Sequence, residues 1–361
     1  MPRVVVGPFN RVEGDLEVTL DLEGGVVREA RVASPMYRGY EQILVGKPAL
    51  DALVIVPRVC GICSVSQSSA AAAALGAVMG AAPPPNGRLA ANLVLACENL
   101  ADHLTHFYLF FMPDFAREAY RGLAWHAAVE PRFRAIQGAA ASEVLAARAD
   151  FLGVTGILAG RWPHTLSLQP GGTSRPVQRS EKIQLLVLLR AFRAFLERSL
   201  FGDALERVAA IRSADELAAW SEARRESSDL ARFLEIASDL GLERAGRATD
   251  RFMSYGAYAD EHGWAFGRGV FTGAGGLAQL DPSAITEDVS HSFLGGDAPR
   301  HPRDGDTAPL LDRPGAYTWC KAPRLAGEVV EVGALARQVV AGHPLARDLV
   351  ARGGGNVVSR V

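Results

Sequence analysis

The sequence predicts a mainly α-helical fold of the α+β class, with an antiparallel β-hairpin near the N-terminus. Apolar and polar residues alternate from Asp15 to Val32 around Gly24-Gly25, which is the pattern of two strands joined by a tight turn. Later stretches of the chain carry apolar residues at helical spacing. The chain has 361 residues, of which 48% are hydrophobic, and this is enough to bury a large core in one or two domains.

The helices follow in order after the hairpin. The Ala-rich stretch from Ser64 to Met79 should be one helix, because it ends at prolines that begin at Pro83 and that a helix does not cross. Further helices are predicted over Arg88 to Phe111, Arg132 to Gly160, Ser180 to Gly202 and Glu331 to Gly353. Loops and short strands are predicted from Phe266 to Pro314, where Gly and Pro are frequent.

We expect a single domain that covers residues 1–361. Residues 1–57 should be rich in β-structure, residues 58–202 should form a helical core, and residues 203–361 should mix helices, loops and short strands. The chain has 38 Lys and Arg residues against 40 Asp and Glu residues, so its charge gives no reason to expect nucleic acid or an acidic membrane as partner. We find no signal peptide and no apolar run of the roughly 18 residues that would span a bilayer. These observations predict a cytoplasmic protein without membrane insertion.

Two of the 4 cysteines form a Cys-x-x-C pair, Cys60 and Cys63, directly before the predicted helix at Ser64. Four interpretations are open. A structural zinc site needs a second ligand pair at short spacing, and a thioredoxin-like redox pair needs a βαβ frame. The other two are a pair of buried inert thiols and a soft transition-metal site for nickel or iron. A helix N-terminus near Ser64 should lower the pKa of both thiols and favour metal-binding thiolates.

Short motifs on both sides of the cysteine pair decide among these interpretations. In chain order they are RVEGD (Arg11 to Asp15), YRGYE (Tyr37 to Glu41), RVCGIC (Arg58 to Cys63), HFYLF (His106 to Phe110), PGG (Pro170 to Gly172) and KAPR (Lys321 to Arg324). Together they resemble the large subunit of [NiFe] hydrogenases, in the family's order and over almost the whole chain. The resemblance implies a large-subunit fold with a central bundle of long helices. It also implies a nickel–iron centre with carbonyl and cyanide ligands, and an iron–sulfur small subunit as partner.

The sequence further resembles one subgroup, the regulatory hydrogenases that sense hydrogen. Most members of the family have His four residues after the second cysteine, whereas this chain has Gln67. Gln67 and the stretch from Glu98 to Phe115 are similar to the sensors. In that subgroup bulky side chains, here Ile62 and Phe110, are held to narrow the gas channel and restrict oxygen. The resemblance therefore implies a sensor that is assembled by maturation proteins and reports to a histidine kinase.

The resemblance also implies roles for individual residues. Cys60 would be a terminal thiolate on nickel, and Cys63 would bridge nickel and iron. Glu13 would be the first proton relay, which is chemically sensible because heterolytic cleavage of hydrogen needs a base to take the proton. Glu41 would bind Mg²⁺ through a carboxylate oxygen, in line with the preference of that ion for hard ligands. Without the resemblance, Glu13 and Glu41 would be solvated acids at a strand start and after a turn.

Four further residues have side chains that can bind metal, and two of them, Cys97 and Cys320, match no ligand position of the family. His103 and His106 lie three positions apart on one predicted helix, where a pair of histidines can chelate a metal. Because that helix is so apolar, we expect both histidines to be hydrogen-bonded core residues instead. Cys97 and Cys320 are isolated in the sequence, and we expect them to be core thiols.

The sequence departs from the family in one respect. Members of the family have a second cysteine pair in a C-terminal DPCxxC segment, and this pair has no counterpart here. We therefore expect a C-terminally incomplete fold, an incomplete set of metal ligands and a chain that is inactive alone. The first hypothesis is an incomplete regulatory large subunit whose complete form activates hydrogen heterolytically, and the sensor-like residues favour it. The second is an accessory scaffold that carries Fe(CN)2CO during cofactor assembly. The third is a non-catalytic docking subunit like the relatives of this fold in respiratory complex I, which the retained cysteines disfavour.

Overall fold

The structure is a computed structural model that describes residues 3–9, 12 and 14–361. Contacts divide these residues into two compact units. The strand unit contains the described residues up to Pro48 together with Asp281–Val330, and the helical unit contains Ala49–Leu280 and Glu331–Val361. The expected organisation as a single domain with three parts stays a prediction. None of the helices formed by the described residues combines the length and apolar character that a membrane crossing needs.

Helices make up most of the helical unit. The α-helices are α1 (Tyr40–Ile43), α2 (Ala52–Ile55), α3 (Ser64–Met79), α4 (Pro85–Thr105), α5 (His126–Phe133), α6 (Ala139–Phe151), α7 (Gly153–Ala159), α8 (Arg179–Phe195), α9 (Leu205–Ala209), α10 (Ala214–Arg224), α11 (Asp229–Leu240), α12 (Ala334–Ala341), α13 (Pro344–Gly353) and α14 (Val357–Arg360). π-Helical turns continue α4 over His106–Phe111 and α8 over Leu196–Leu200. Short 3₁₀ turns lie at Ala49–Asp51, Val56–Arg58, Met112–Ala116, Glu118–Tyr120, Leu242–Arg244, Gly273–Gly275, Pro282–Ala284 and Pro302–Asp304.

The strands form small antiparallel sheets. They are β1 (Arg3–Phe9), β2 (Leu16–Glu23), β3 (Val26–Ala33), β4 (Leu168–Gln169), β5 (Gly172–Thr173), β6 (Phe252–Ala259), β7 (Trp264–Phe271), β8 (Leu277–Ala278), β9 (Ile285–Asp288) and β10 (Ala322–Leu325). The strand orders are β1-β2-β3 and β9-β10 in the strand unit, and β4-β5 and β6-β7-β8 in the helical unit. A mainly helical chain with small antiparallel sheets confirms the predicted α+β class.

The predicted hairpin is confirmed as β2 and β3. Thr19 lies opposite Arg31, and the turn between the strands is formed by Gly24 and Gly25 at φ 59° and 79°. This left-handed conformation is open to glycine at little steric cost and suits the twist of a two-residue hairpin turn. β1 extends the hairpin to a three-stranded sheet.

Three of the predicted helices are confirmed. α3 spans the predicted Ser64–Met79, and it ends at Gly80 in the left-handed conformation that commonly stops a helix. The helices predicted over Arg88–Phe111 and Ser180–Gly202 correspond to α4 and α8, each with its π-helical turn. α4 starts at Pro85, since a proline in the first turn needs no amide hydrogen.

Two predictions of single long helices are wrong. The stretch from Arg132 to Gly160 contains the end of α5 followed by α6 and α7. A Cβ atom at Gly138 would lie 2.5 Å from the carbonyl oxygen of Arg132, so the chain folds back on itself there more tightly than a side chain allows. The stretch predicted from Glu331 to Gly353 divides into α12 and α13 at Gly342, which has a φ of 86°.

Aromatic side chains form much of the core of the helical unit. Phe151 of α6 stacks on Phe192 of α8 with ring centroids 3.8 Å apart, and this contact joins the two helices. Phe233 of α11 is fully buried and meets Phe107 and Phe111 of the π-helical turn at 6.3 and 5.4 Å. Burial of such rings is the main source of stability for helices packed in this way. The core fixes α4, which carries residues close to the cysteine pair.

Candidate metal centre

Cys60 and Cys63 lie in the turn between the 3₁₀ turn Val56–Arg58 and helix α3. Cys60 is buried, and Cys63 is half-buried at the N-cap position of α3. The two thiols are close enough that the Cys60 thiol helps to raise the pKa of Cys63. No atom lies within 4 Å of the position that a Cβ atom of Gly61 would take, so the turn is open on that side. The turn thus carries two cysteines at the start of α3, one buried and one half-buried.

Gln67 lies one helical turn after Cys63 and contacts its sulfur. The side-chain amide Nε2 donates a hydrogen bond to Cys63 Sγ at 3.7 Å. A side chain at i+4 covers the preceding turn of a helix, which explains the contact. Gln67 therefore lies directly on one of the two predicted metal ligands.

The expectation that the helix N-terminus lowers the pKa of both thiols is wrong for Cys63. Burial, the Cys60 thiol and the negative charge of Glu98 raise the pKa of Cys63 to about 12, although the Gln67 amide acts in the opposite direction. The amides that create the positive end of α3 are occupied by Glu98, so they do little for a thiolate. In the metal-free chain Cys63 is a protonated thiol at neutral pH.

Glu98 of α4 is a buried carboxylate that lies against the start of α3. The residue is 3% exposed. Its two oxygens accept hydrogen bonds from the backbone amides of Val65 and Ser66 at 2.9 and 3.0 Å, which belong to the first turn of α3. Oε1 also accepts from Trp162 Nε1 at 2.9 Å. These contacts satisfy amides that every helix leaves without an internal partner.

A second segment, Trp162 to His164, holds the cysteine turn from the other side. The backbone amide of His164 donates to Ser64 Oγ at 3.1 Å, and its ring Nδ1 lies 3.0 Å from the carbonyl oxygen of Pro57. Because a carbonyl only accepts, Nδ1 carries the ring hydrogen. The guanidinium of Arg148 lies over the Trp162 ring at 4.8 Å. The turn is therefore fixed at both of its ends.

Sequence reasoning missed the role of Glu98 as a cap. The signal that the sequence contains is a carboxylate within the buried stripe of α4, whose other members include Val94, Cys97 and Ala101. A charged residue in such a position is rarely buried without partners. The partners, however, lie in other helices and loops and cannot be located by periodicity.

The donor set fits a soft metal in part. Two adjacent sulfur atoms suit nickel or iron once they lose their protons. Among residues 3–9, 12 and 14–361, no group of three or more His, Cys, Asp or Glu side chains is arranged to hold a metal ion. Cys60 and Cys63 therefore fit as one pair of sulfur ligands, and the described part of the chain adds no third ligand to them.

The other predicted site residues lie in different parts of the sequence, and only Ile62 belongs to the cysteine turn itself. Glu13 lies outside the described residues. Glu41 is exposed in the first turn of α1, within the strand unit. Ile62 is 40% exposed in the cysteine turn, and Phe110 is half-buried in the π-helical turn after α4. The roles of these residues in proton transfer, magnesium binding and gas access stay predictions.

The expectations for the remaining histidines and cysteines are partly wrong. His103 and His106 are both exposed and not buried core residues, because they lie on the side of the helix opposite its buried stripe. Cys97 is 2% exposed and donates to the carbonyl oxygen of Phe151 at 3.5 Å, so it is a core thiol. Cys320 is exposed, since the chain there turns the Trp319 ring inward to stack on Tyr37.

Comparison with known proteins identifies the family of this chain. The family model described as nickel-dependent hydrogenase matches residues 38–119 and 139–351. The chain is 24% identical to the hydrogenase-2 large chain of Escherichia coli K12, over 94% of this chain and 67% of that protein. It is 27% identical to the periplasmic [NiFeSe] hydrogenase large subunit of Desulfomicrobium baculatum, over 94% of this chain and 64% of that protein. The structure of the Ni-Fe-Se hydrogenase from D. vulgaris Hildenborough in the reduced state superposes with a TM-score of 0.76 and 26% identity, covering 98% of this chain and 70% of that chain.

The fold is thus that of the hydrogenase large subunit, which confirms the predicted fold class. This chain belongs to the nickel-dependent hydrogenase family. It spans about two thirds of the length of the two relatives described above.

Proposed function

We propose that this chain is the large subunit of a hydrogen-sensing [NiFe] hydrogenase, whose complete site splits H2 heterolytically into two protons and two electrons. The observation that carries the proposal is the adjacent thiol pair Cys60 and Cys63 at the start of α3, with the Gln67 amide on the Cys63 sulfur. A nickel–iron centre with carbonyl and cyanide ligands supplies, when bound, the electrophilic metal that polarises hydrogen. The protein contributes the sulfur ligands, their orientation and the groups that receive the proton.

The two cysteines are proposed to have different roles toward the centre. Cys60 and Cys63 would hold the nickel–iron centre as sulfur ligands, Cys60 on nickel and Cys63 shared with iron. With a pKa of about 12, the Cys63 thiol keeps its proton at neutral pH, and a metal that binds its sulfur would have to displace that proton. Glu13 is assigned as the first acceptor of the proton from hydrogen, and Glu41 as a Mg²⁺ ligand.

The sensor assignment rests on three side chains. Gln67 stands where most of the family has His, and its amide lies on Cys63 Sγ. Ile62 and Phe110 are the bulky residues assigned to narrow the gas channel. A narrow channel admits hydrogen more readily than oxygen, which suits a protein that must report hydrogen in air.

The proposed partners follow from the same assignment. They are an iron–sulfur small subunit that takes the electrons, the maturation proteins that build the centre, and a histidine kinase that reads the signal. The names of the relatives, a large chain and a large subunit, support a smaller partner. One of these relatives is named periplasmic, and a cytoplasmic location of this chain stays a prediction.

One observation favours a second candidate, an accessory scaffold that carries Fe(CN)2CO during cofactor assembly. The described residues place a single thiol pair together and no third ligand, and two thiols suffice to hold an iron unit in transit. The contact of Gln67 with Cys63 favours the sensor, because a transit site has no need of the residue that distinguishes the sensors.

The test uses the protein purified without oxygen from its native cells, with the partners that accompany it. We would measure its intact mass, its infrared bands for carbonyl and cyanide, and hydrogen oxidation with a dye as electron acceptor. A mass well above 38.5 kDa with bands and hydrogen oxidation supports the sensor large subunit. A mass of 38.5 kDa with bands and no turnover identifies the scaffold, and the absence of bands refutes both.

Two cysteine variants make the same test specific to the turn. Cys63→Ser removes one proposed ligand, and we expect the infrared bands to disappear. Cys320→Ser is the matched control, because Cys320 is exposed and belongs to the strand unit. Retention of the bands in both variants would show that the centre is held elsewhere.

A further inference from the structure

We propose that Glu98 is a positioning residue for the metal centre: its carboxylate fixes the start of helix α3, and with it the cysteine turn, and lies against Ser64, the residue that follows Cys63. The inference deepens the proposed function, because it assigns a residue to the support of the thiol ligands. It is independent of the proton relay and the gas channel.

The geometry of the carboxylate is that of a cap supplied by another helix. Both oxygens of Glu98 are used: Oε1 accepts from the Val65 amide, and Oε2 accepts from the Ser66 amide. Ser66 Oγ adds a contact to Oε2 at 3.3 Å. An ordinary N-cap is made by the side chain of the N-cap residue itself. Here that residue is Cys63, and its side chain makes no capping hydrogen bond.

The cap thereby leaves the Cys63 sulfur available. A serine or aspartate at the N-cap would satisfy the first amides of α3, but the N-cap position is occupied by a proposed metal ligand. Glu98 supplies the missing acceptor from α4, 35 residues further along the chain. The division of roles lets one residue bind metal while another stabilises the helix.

The surroundings of Glu98 keep it in place. The residue is 3% exposed, and the Trp162 indole donates to Oε1 at 2.9 Å. Buried hydrogen bonds to a charged group are short and strong, so the carboxylate has little freedom to move. Trp162 is itself held by the Arg148 guanidinium over its ring. Because the Trp162 indole donates a hydrogen bond to the carboxylate, it also weakens the electrostatic effect of Glu98 on the cysteine turn.

The choice of a carboxylate over an amide has a consequence for a bound metal. A glutamine at this position would present one acceptor and one donor, and the donor would face an amide hydrogen. It would also lack the charge. A fixed negative charge close to the sulfur ligands increases electron density at the metal, because a low local dielectric transmits it efficiently. Carbonyl stretching frequencies report that density directly.

The first experiment needs no metal. Hydrogen–deuterium exchange of peptides that cover Ser64 to Ser68 is compared in the full chain, in Glu98→Gln and in Asp102→Asn. Asp102 is exposed one helical turn further along α4, so its substitution removes a charge but leaves the acceptors of the Val65 and Ser66 amides in place. We expect the amides of Val65 and Ser66 to exchange about tenfold faster or more in Glu98→Gln, from the loss of charge-assisted hydrogen bonds. We expect no change in Asp102→Asn.

The second experiment uses the protein loaded with its centre, purified as described for the proposed function. We expect the carbonyl stretch to move to higher wavenumber in Glu98→Gln and to stay in place in Asp102→Asn. Trp162→Phe keeps the ring over which Arg148 lies but removes the donor to Glu98, so it exposes more of the charge. We expect the carbonyl stretch of this variant to move to lower wavenumber, and it serves as the second variant if Glu98→Gln fails to fold.

The outcomes separate the inference from the proposed function. Equal exchange in Glu98→Gln and the unmodified chain, or equal acceleration in Asp102→Asn, overturns the positioning role. Accelerated exchange with an unmoved carbonyl band overturns the electrostatic role. If the unmodified protein shows no carbonyl band at all, the proposed function fails, and the exchange experiment still decides whether Glu98 holds the cysteine turn.

Discussion

Tyr108 is the residue whose substitution tests the buried polar network of the helical unit most directly. Its ring is 1% exposed, and its hydroxyl donates to Asp229 Oδ2 at 2.7 Å. Arg132 forms an ion pair with the same carboxylate and donates to it through two nitrogens. Asp229 is 5% exposed, so each partner removes part of the cost of burying its charge.

Tyr108→Phe should destabilise the helical unit by about 1.5–2 kcal/mol. A hydrogen bond to a charged group contributes roughly 1.5–3 kcal/mol, and the lower part of that range applies because Arg132 continues to pair with Asp229. The substitution removes a single oxygen atom and leaves the ring packing intact. Arg132→Met leaves Asp229 with the phenol alone and should cost about 3–5 kcal/mol.

The assay is urea unfolding followed by circular dichroism at 222 nm, which reports the helices. With a slope of about 3 kcal/mol/M, Tyr108→Phe should lower the midpoint by roughly 0.5 M. Tyr255→Phe is the matched control, since Tyr255 is 49% exposed and keeps its ring contact with Arg268. A midpoint for Tyr108→Phe within the spread of Tyr255→Phe would refute the assigned role of the hydroxyl.

The same residue predicts a dependence of stability on pH. Burial and the Asp229 carboxylate raise the pKa of Tyr108 well above its usual value of 10. The folded chain keeps the phenol proton at a pH at which the unfolded chain releases it. The contribution is therefore complete below about pH 10 and decreases above it, by up to about 1.4 kcal/mol per pH unit. Tyr108→Phe should lack this part of the alkaline decline, and a decline of equal steepness in both proteins would contradict it.

Three further predictions concern the cysteine turn and the complete site. Because the pKa of Cys63 is about 12, alkylation of its thiol by iodoacetamide in the metal-free chain should accelerate about tenfold per pH unit from pH 7 to 11. The rate is measured from the mass of the peptide that contains Cys63, and a plateau near pH 9 would refute the raised pKa. Ile62→Ala and Phe110→Leu should widen the gas channel, so that the native complex loses hydrogen oxidation in air within minutes and keeps it without oxygen. Unchanged oxygen tolerance would exclude these residues from the channel. We expect no reduction of a dye by hydrogen when the 361-residue chain is expressed with a small subunit and maturation proteins, because its described residues bring only one thiol pair together. Turnover would disprove this expectation.

Local patterns in the sequence were sufficient to predict the hairpin and helix α3. Strict alternation around Gly24-Gly25 determines β2 and β3, and an Ala-rich run between a cysteine turn and Gly80 determines α3. Helical spacing failed between Arg132 and Gly160 because apolar periodicity continues through the tight turn at Gly138. The conformation of that turn depends on a close backbone approach that periodicity does not report.

The β6–β7 hairpin was not predicted for a related reason. A Cβ atom at Gly256 would lie 2.8 Å from the Trp264 ring, so the strand needs glycine where the aromatic side chain crosses it. In the sequence this glycine weakens the strand pattern. Phe252 at the start of β6 and Val339 of α12 are both fully buried in one small core, which joins residues almost ninety positions apart.

The cysteine pair and Gln67 could be located from the sequence, and the environment of their side chains could not. Cys60, Cys63 and Gln67 were identified from motifs, and the structure places the three together. The raised pKa of Cys63 and the cap from Glu98 depend on the packing of α4 against α3, which sequence spacing does not contain. For the same reason the exposure of His103 was predicted wrongly from the apolar composition of its helix.

The cap from Glu98 also bears on the order in which the chain folds. The first amides of α3 have their acceptors on a helix that follows in the sequence, so the cysteine turn obtains its hydrogen bonds only after α4 has docked. A nascent chain that has emerged as far as Met79 has the Cys-x-x-C sequence without the geometry. A synthetic peptide of this region should accordingly be a poor mimic of the centre, and any protein that delivers metal before α4 has docked meets two flexible thiols.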